Sequence, residues 1–387
     1  MKLNKYIWIF VGLIAAVYLG TLLWVRLTNP VYLQQNMYRT WEKSYVMHPR
    51  ADQSFVNTST NNNHQKPVAL SESQGYGMWI TIMAAKKGWA SQKDFDRFVN
   101  YWLAHRDYVG DQHQTPTYLM SWRQYYNRHH QWVADVNSAT DGDVYIDMAL
   151  AQAARQWPSK ADYYRSLAKK LSSDILAYEY NPQTRALTVG DWVTKDSAYW
   201  RLMRTSDVMP FVFKTLAETT GDSCWQTVNN AMLDRLVDLS RQHHTGLVPD
   251  FAWITRDSAK PVKPNTISTK QDGNYNFNAC RVPMMLAVSD DSRAQKVLKK
   301  MLRFFSHQQY VTAGYSLNGQ RLVKYQSASF SAPIFFAVSH HRGEGFDNLF
   351  DSQKYIFSKP LTRKNYYDAT LTAVSYTHLT LPTNSRV

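Results

Sequence analysis

The segment Ser71-Glu72-Ser73-Gln74-Gly75-Tyr76-Gly77-Met78 sets a carboxylate at the head of an apolar run. Its two glycines let another backbone or a ligand approach closely. Burial of Glu72 beside Tyr76 and Trp79 would raise its pKa and make it a usable general acid. The same residue could also do no more than cap the helix that follows. A second acid-bearing segment, Ser138-Ala139-Thr140-Asp141-Gly142-Asp143, opens a helix that ends at Trp157. Capping and the helix macrodipole favour acids there, so Asp141 and Asp143 have a structural explanation beside a chemical one. Asp147 falls one turn later and reads as part of a solvated face. The ligand ladder of an EF-hand is absent, which excludes a calcium loop of that kind. A third segment runs from Asp272 through Asn278-Ala279-Cys280-Arg281 to Pro283. There Arg281 enters an apolar helix, where a charged head needs a carboxylate partner.

Composition narrows the field. The 387 residues are 44% apolar and 14% aromatic, enough for a sizeable core, which excludes a disordered chain. There are 25 Asp but only five Glu, so a Glu in a Gly-rich apolar setting stands out. Two cysteines, Cys224 and Cys280, exclude a disulfide-rich scaffold and a Cys-type zinc site; one bridge or two buried thiols both fit. The net charge is +14, of which +11 lies beyond residue 30. The basic residues are scattered and form no block with interleaved aromatics, which argues against nucleic acid. The pairs His129-His130, His243-His244 and His340-His341 lack metal-ligand spacing, so no metal or other cofactor is expected.

The elements that must position these residues are mostly helical. Apolar periodicity predicts helices over 33–45, 75–87, 91–105, 143–157, 160–180, 208–220, 224–243, 276–289, 293–307 and 325–339. Residues 51–67 read as a loop, 108–139 as a long irregular stretch, and 185–189 as a short strand. The helices come in consecutive pairs with no linker between them, so one domain is expected over 31–372. Pairing of this kind suits an α-solenoid or a closed double ring. Ile7–Val25 is nineteen residues without a charge, and as a helix about 28 Å long it would nearly match a bilayer core. Lys2 and Lys5 precede it, so residues 1–30 read as an uncleaved signal anchor, with a cleaved signal peptide as the competing reading. Either places the rest outside the cytoplasm. Residues 373–387 resemble translated adaptor sequence and read as a non-native tail.

Taken together, the motifs resemble glycoside hydrolase family 8 over residues 31–372. The family's acid segment is similar to SEGQGYGM, here SESQGYGM, and its signature to A-[ST]-D-[AG]-D, here ATDGD. GLVPD at 246–250, NACR at 278–281 and YYD at 366–368 also resemble family segments. The resemblance implies an (α/α)6 barrel and inverting, endo-acting hydrolysis of a β-1,4-linked polysaccharide: cellulose, mixed-linkage glucan, chitosan or xylan. Glu72 matches the general acid, Asp141 the signature Asp that contacts the distorted sugar, and Arg281 the arginine beside the base. The base position itself holds Asn278, and an amide cannot take a proton from water. One branch of the family draws its base from a Glu just upstream, but no Glu lies between Glu218 and Glu344. Asp207, Asp250, Asp257 and Asp272 remain; Asp207 and Asp272 rank equal, and Asp250 and Asp257 suit loop turns and caps. A barrel that binds polysaccharide without efficient hydrolysis is the alternative. Tyr76, Asn278 and Arg281 are expected at the substrate. Among Trp79, Trp122, Trp132, Trp192 and Trp200, the best candidates for stacking on sugar are Trp122 and Trp132. A basic chain repels chitosan, which favours neutral β-glucan. A monomer at the cell surface is expected.

Overall fold

The computed structural model describes residues 2–27, 30–110, 112–357 and 359–377, with side chains described for 6–20 and from 31 onward within those ranges. Helix α1 spans Lys2–Leu27, and its described side chains are exposed and mostly apolar. Among the described residues no helix is long and apolar enough to cross a membrane. The expected span Ile7–Val25 lies partly outside the described side chains, which end at Gly20.

The remaining helices form two rings. α2 (Pro30–Tyr45), α3 (Ser71–Lys86), α4 (Gln92–Ala104), α5 (Thr140–Gln156), α6 (Ala161–Tyr178), α7 (Pro210–Thr220) and α8 (Cys224–Arg241) are followed by α9 (Val282–Ala287), α10 (Ser292–Ser306), α11 (Ala328–Ser339), α12 (Asp347–Gln353) and α13 (Tyr366–Thr377). α3 packs on α5, α5 on α7, α7 on α9, α9 on α11, α11 on α13, and α13 back on α3. The even-numbered helices α2 to α12 lie outside, on α13, α3, α5, α7, α9 and α11 in turn. This is the (α/α)6 barrel, and the α13–α3 contact excludes an open solenoid. The two rings differ in sequence because they differ in surroundings. α3 buries residues on every side, among them Tyr76, Met78, Ile80 and Ile82. α10 buries one stripe, Ala294, Val297, Leu298, Met301, Leu302 and Phe305, at helical spacing.

Glycine sets how closely two inner helices meet. A Cβ on Gly142 would lie 2.6 Å from the Ser71 carbonyl carbon, and one on Gly75 would lie 3.2 Å from Gly142 O. Both are closer than ordinary contact, so only glycine lets the α3 and α5 N-termini touch. That contact brings Glu72 and Asp141 to one place. The approach expected of Gly75 is therefore made by the α5 backbone, while Gly77 admits the Phe98 ring and the Val56 side chain.

Short strands fill the loops. β1 (Val46–Arg50) and β2 (Gln53–Val56) form a hairpin. β3 (Val68–Leu70), β4 (Arg106–Val109), β5 (Thr115–Met120), β6 (Arg123–Tyr126) and β7 (Trp132–Ala134) follow. β6 lies between β3 and β7, while β4 pairs with β5. The stretch 108–139, expected to be irregular, thus carries strand segments joined by turns and irregular pieces. After β8 (Tyr180–Asn181) and β9 (Ala186–Leu187), β10 (Leu202–Arg204), β11 (Phe251–Ile254) and β12 (Ala259–Pro261) make a second three-stranded sheet. The domain end expected at Thr372 falls inside α13, which buries Ala373, Val374, Ser375 and Tyr376. Residues 378–387 lie outside the described residues. Cys224 and Cys280 are free thiols.

Candidate active site

α3 begins right after β3, so Glu72 sits in its first helical turn. Ser73, which departs from the family's glycine, closes that start: its hydroxyl donates to Leu70 O at 2.7 Å and accepts from Leu70 N at 3.1 Å. Trp122 O accepts from Ser71 N at 2.9 Å, tying the β6 approach to the same point.

Arg281 is the hub, with 1% of its side chain exposed. Its Nη1 donates to Glu72 Oε1 at 2.7 Å and to Asp141 Oδ2 at 3.1 Å. Its Nη2 donates to Ser206 Oγ at 2.7 Å and to Asn278 Oδ1 at 3.4 Å. The carboxylate partner required of Arg281 is therefore two carboxylates, on α3 and α5. Arg204, at the end of β10, adds a second cation, with Nη1 2.7 Å from Asp141 Oδ2 and 3.7 Å from Asp207 Oδ1.

These surroundings separate the acids. Burial pushes Glu72 up to about 7, against the pull of Arg281 and with a push from Asp141. Burial also acts on Asp141, but Arg204 and Arg281 outweigh it and hold the carboxyl below its ordinary value. Asp207 is pushed up to about 7 by burial, partly offset by Arg204. Its side chain is buried, and among the described residues both its oxygens lack a hydrogen-bond partner, since the 3.7 Å contact with Arg204 is too long for one. Glu72 keeps 18% of its side chain exposed, so it can reach a bound molecule.

The remaining candidates for the base are placed differently. Asp272 is buried, and its oxygens accept from Ile267 N, Ser268 N and Thr269 N at 2.7–3.0 Å and from two hydroxyls. It staples its own loop and makes no described hydrogen bond or ion pair with the Arg281 hub. Asp250 Oδ1 accepts from Asn276 N at 3.0 Å and Ala279 N at 2.7 Å, and Oδ2 from Asn278 Nδ2 at 3.4 Å. It shapes the turn that presents Asn278 and Arg281, as suits a turn residue; burial raises it to about 7. Asp257 is exposed in the β11–β12 turn.

Some expected binding residues lie elsewhere. Tyr76 is fully buried, its OH donating to Tyr145 OH at 3.2 Å, so it supports the site from below and cannot face a sugar. Asp147 is fully buried too, not solvated, because inner helix α5 has no solvent face. Trp79 is core. Trp132 packs on Phe55 at 5.6 Å and Tyr126 at 5.0 Å, away from the hub. Trp122 is half-buried next to Ser71, with Arg123 over its ring at 4.7 Å. Trp192 is 39% exposed, and its neighbour Asp191 accepts from Ser138 N, just before α5.

Sequence reasoning missed Arg204, Ser206, Tyr145 and Tyr366. Tyr366 is buried at the start of α13, its hydroxyl without a described partner, in the field of Glu72 and Arg281. The segment YYD marked its position without assigning a role. For Arg204 the one available signal was its spacing of three before Asp207.

The family profile described as Glycosyl hydrolases family 8 matches residues 18–378. The chain is 30% identical over 312 residues to a beta-glucanase of Niallia circulans, covering 78% of this chain and 72% of that one. It is 25% identical over 322 residues to an endoglucanase of Bacillus sp. (strain KSM-330), covering 78% and 66%. Among solved structures, a beta-1,3-1,4-glucanase from Paenibacillus sp. X4 superposes with a TM-score of 0.77 at 25% identity, over 89% of this chain and 90% of that one.

Proposed function

The chain belongs to glycosyl hydrolases family 8 and is a glycoside hydrolase, and from that premise we propose internal cleavage of a β-1,4-linked glucan, cellulose or mixed-linkage, with inversion. Glu72, protonated, gives its proton to the glycosidic oxygen as the C1–O bond breaks. Asp207 takes a proton from the water whose oxygen bonds to C1 from the opposite face. Asp141, kept ionised by two arginines, faces the positive charge that develops on the sugar ring. Arg281 holds Glu72 and Asp141 in one geometry, and Asn278 bridges Arg281 to Asp250. Trp122 and Trp192 offer rings to neighbouring sugars.

The observation that carries this reading is one guanidinium shared by Glu72 and Asp141, with the unpartnered carboxyl of Asp207 on the same arginine system. Neutral glucan is preferred to chitosan because the chain is basic. The uncharged run Ile7–Val25 supports an anchor and an extracytoplasmic place of action. Reducing-sugar release from carboxymethylcellulose, lichenan, chitosan and xylan tests the proposal, with Glu72→Gln, Asp207→Asn and Asp272→Asn run beside the wild type. Release from the glucans, lost in the first two variants and kept in the third, supports it. Loss in Asp272→Asn with Asp207→Asn active would move the base; release from xylan or chitosan alone would change the substrate.

A further inference from the structure

Away from the arginine hub, two adjoining cavities share His64. The first, about 420 Å³, is lined by Phe55, Tyr126 and Trp132 with His48, His64 and His130 at its rim. Tyr126 and Trp132 meet edge to face, and Tyr126 is 43% exposed, so the cavity offers aromatic faces to solvent. The second, about 370 Å³, is lined by Arg39 and Lys43 of α2, Arg363 before α13, and Asn62. None of these three cations makes an ion pair among the described residues, and all three are exposed. The wall between the cavities is held in place. Asn62 Nδ2 donates to Ser44 O at 2.8 Å, Asn57 Nδ2 donates to Asn62 Oδ1 at 2.9 Å, and His64 Nε2 lies 3.2 Å from the same Ser44 O.

We propose that the two cavities form one binding site for an anionic polysaccharide segment. A sugar ring stacks in the aromatic cavity, and a carboxylate or other acidic substituent lies among Arg39, Lys43 and Arg363. Aromatic rings recognise the apolar face of a sugar, and unpaired cations recognise a negative group. The placement relative to the hub supports a polymer as the occupant. Pro67 lines the aromatic cavity, β3 runs from there to Ser71, and β6 pairs with β3 between Tyr125–Val68 and Arg123–Leu70. Pro67, one of its lining residues, thus lies four residues, about 13 Å of strand, before the start of α3, whose second residue is Glu72. The inference rests on the polysaccharide reading above and departs from it in one respect, that the glucan carries acidic substituents where a neutral chain was preferred to chitosan.

The test is binding, not turnover. The full-length Glu72→Gln protein in detergent is titrated with carboxymethylcellulose and with neutral hydroxyethylcellulose at low salt. The expected result is a preference for the carboxymethyl polymer of about tenfold, what three exposed ion pairs supply together. Arg39→Gln/Lys43→Gln/Arg363→Gln removes that preference and leaves hydroxyethylcellulose binding intact. Trp132→Ala weakens both polymers. A control that removes three exposed cations elsewhere, Lys93→Gln/Lys169→Gln/Lys296→Gln, keeps the preference. The proposal is overturned by equal binding of the two polymers, by an equal loss in the control, or by wild-type behaviour of the pocket variant. Pocket-dependent binding by a chain whose wild-type form releases no sugar from either polymer would sink the glucanase reading and leave the site standing.

Discussion

Two clusters of carboxyls meet at the N-terminus of α5, and their chemistry differs because of what lies beside them. Glu72, Asp141 and Asp207 share Arg281 and Arg204. Asp107, Asp143, Glu179 and Asp191 lie behind them, around Ser138, with no described ion pair to a cation. Ser138 Oγ donates to Glu179 Oε1 at 2.5 Å, Ser138 N to Asp191 Oδ1 at 2.8 Å, and Met120 N to Asp143 Oδ1 at 2.8 Å. Burial, with repulsion from neighbouring acids, lifts Glu179 to about 8 and Asp107 to about 7, and Asp143 well above its ordinary range. Among the described residues no group has the geometry of a metal site. The same residue type is thus an ionised electrostatic partner at Asp141 and a neutral hydrogen-bonding brace at Asp143, two positions on.

The sharpest way to break this contrast is on the arginine side. Glu72→Gln should cut hydrolysis by about 10²–10⁴-fold, the range for a lost general acid, with the fold retained by circular dichroism. Asp207→Asn should cost about as much, read as kcat with little change in KM. Asp272→Asn should leave kcat near wild type and lower Tm instead, because its oxygens only tie a loop. Equal kinetic losses in both Asp variants would erase the distinction between the two loops.

Acidity offers the next test. In the proposed reaction Glu72 must hold its proton and Asp207 must lack one, and both lie at about 7. Activity should therefore trace a bell centred near neutrality. It falls below as Asp207 protonates and above as Glu72 ionises. The Asp207→Asn variant should keep only the alkaline limb in its residual rate.

The brace side should show itself in stability. Glu179 and Asp107 bind protons more tightly folded than unfolded, where their pKa values are 4.5 and 3.8. Their neutral form then favours the fold at low pH, and that contribution fades as pH rises from about 4 to about 8. Scanning calorimetry should find Tm falling across that window. In Asp143→Asn the fall should be shallower, by roughly 2–4 °C at pH 8. A Tm that climbs with pH over the same window would mean the cluster is ionised and paired. The smallest expected effect is at Asp257, where Ala should change neither activity nor Tm, since the side chain is exposed in a turn.

How much of this could be read from the chain differs by residue. Glu72, Asp141 and Arg281 were legible because each lies in a local motif, and Arg281 in an apolar helix demanded a partner. Arg204 and Tyr366 were not: the spacing of Arg204 to Asp207 and the segment YYD mark the positions, but neither says which distant carboxyl the side chain meets. Asp147 and Tyr76 were misread for the opposite reason. Helical periodicity assumes one solvent face, and α3 and α5 have none once the outer ring covers them. Trp132, expected to stack on sugar, is placed by the β6–β7 hairpin against Phe55 and Tyr126, in the cavity proposed above to hold a sugar ring and not at the Arg281 hub.

The local sequence determined the paired helices, the acid at the head of α3, the two aspartates at the head of α5 and the amide at position 278, and the family resemblance supplied the roles expected of them. All of these depend on residues within a turn or two of one another. The family resemblance already implied the closed ring that the α13–α3 contact shows, whereas the division of the carboxyls into two clusters, and the geometry behind our proposal of Asp207 over Asp272, came only with tertiary structure. Each depends on distance and burial between segments tens to hundreds of residues apart. A carboxyl's proton affinity is set by what surrounds it in space, and helical period and motif spacing do not encode that.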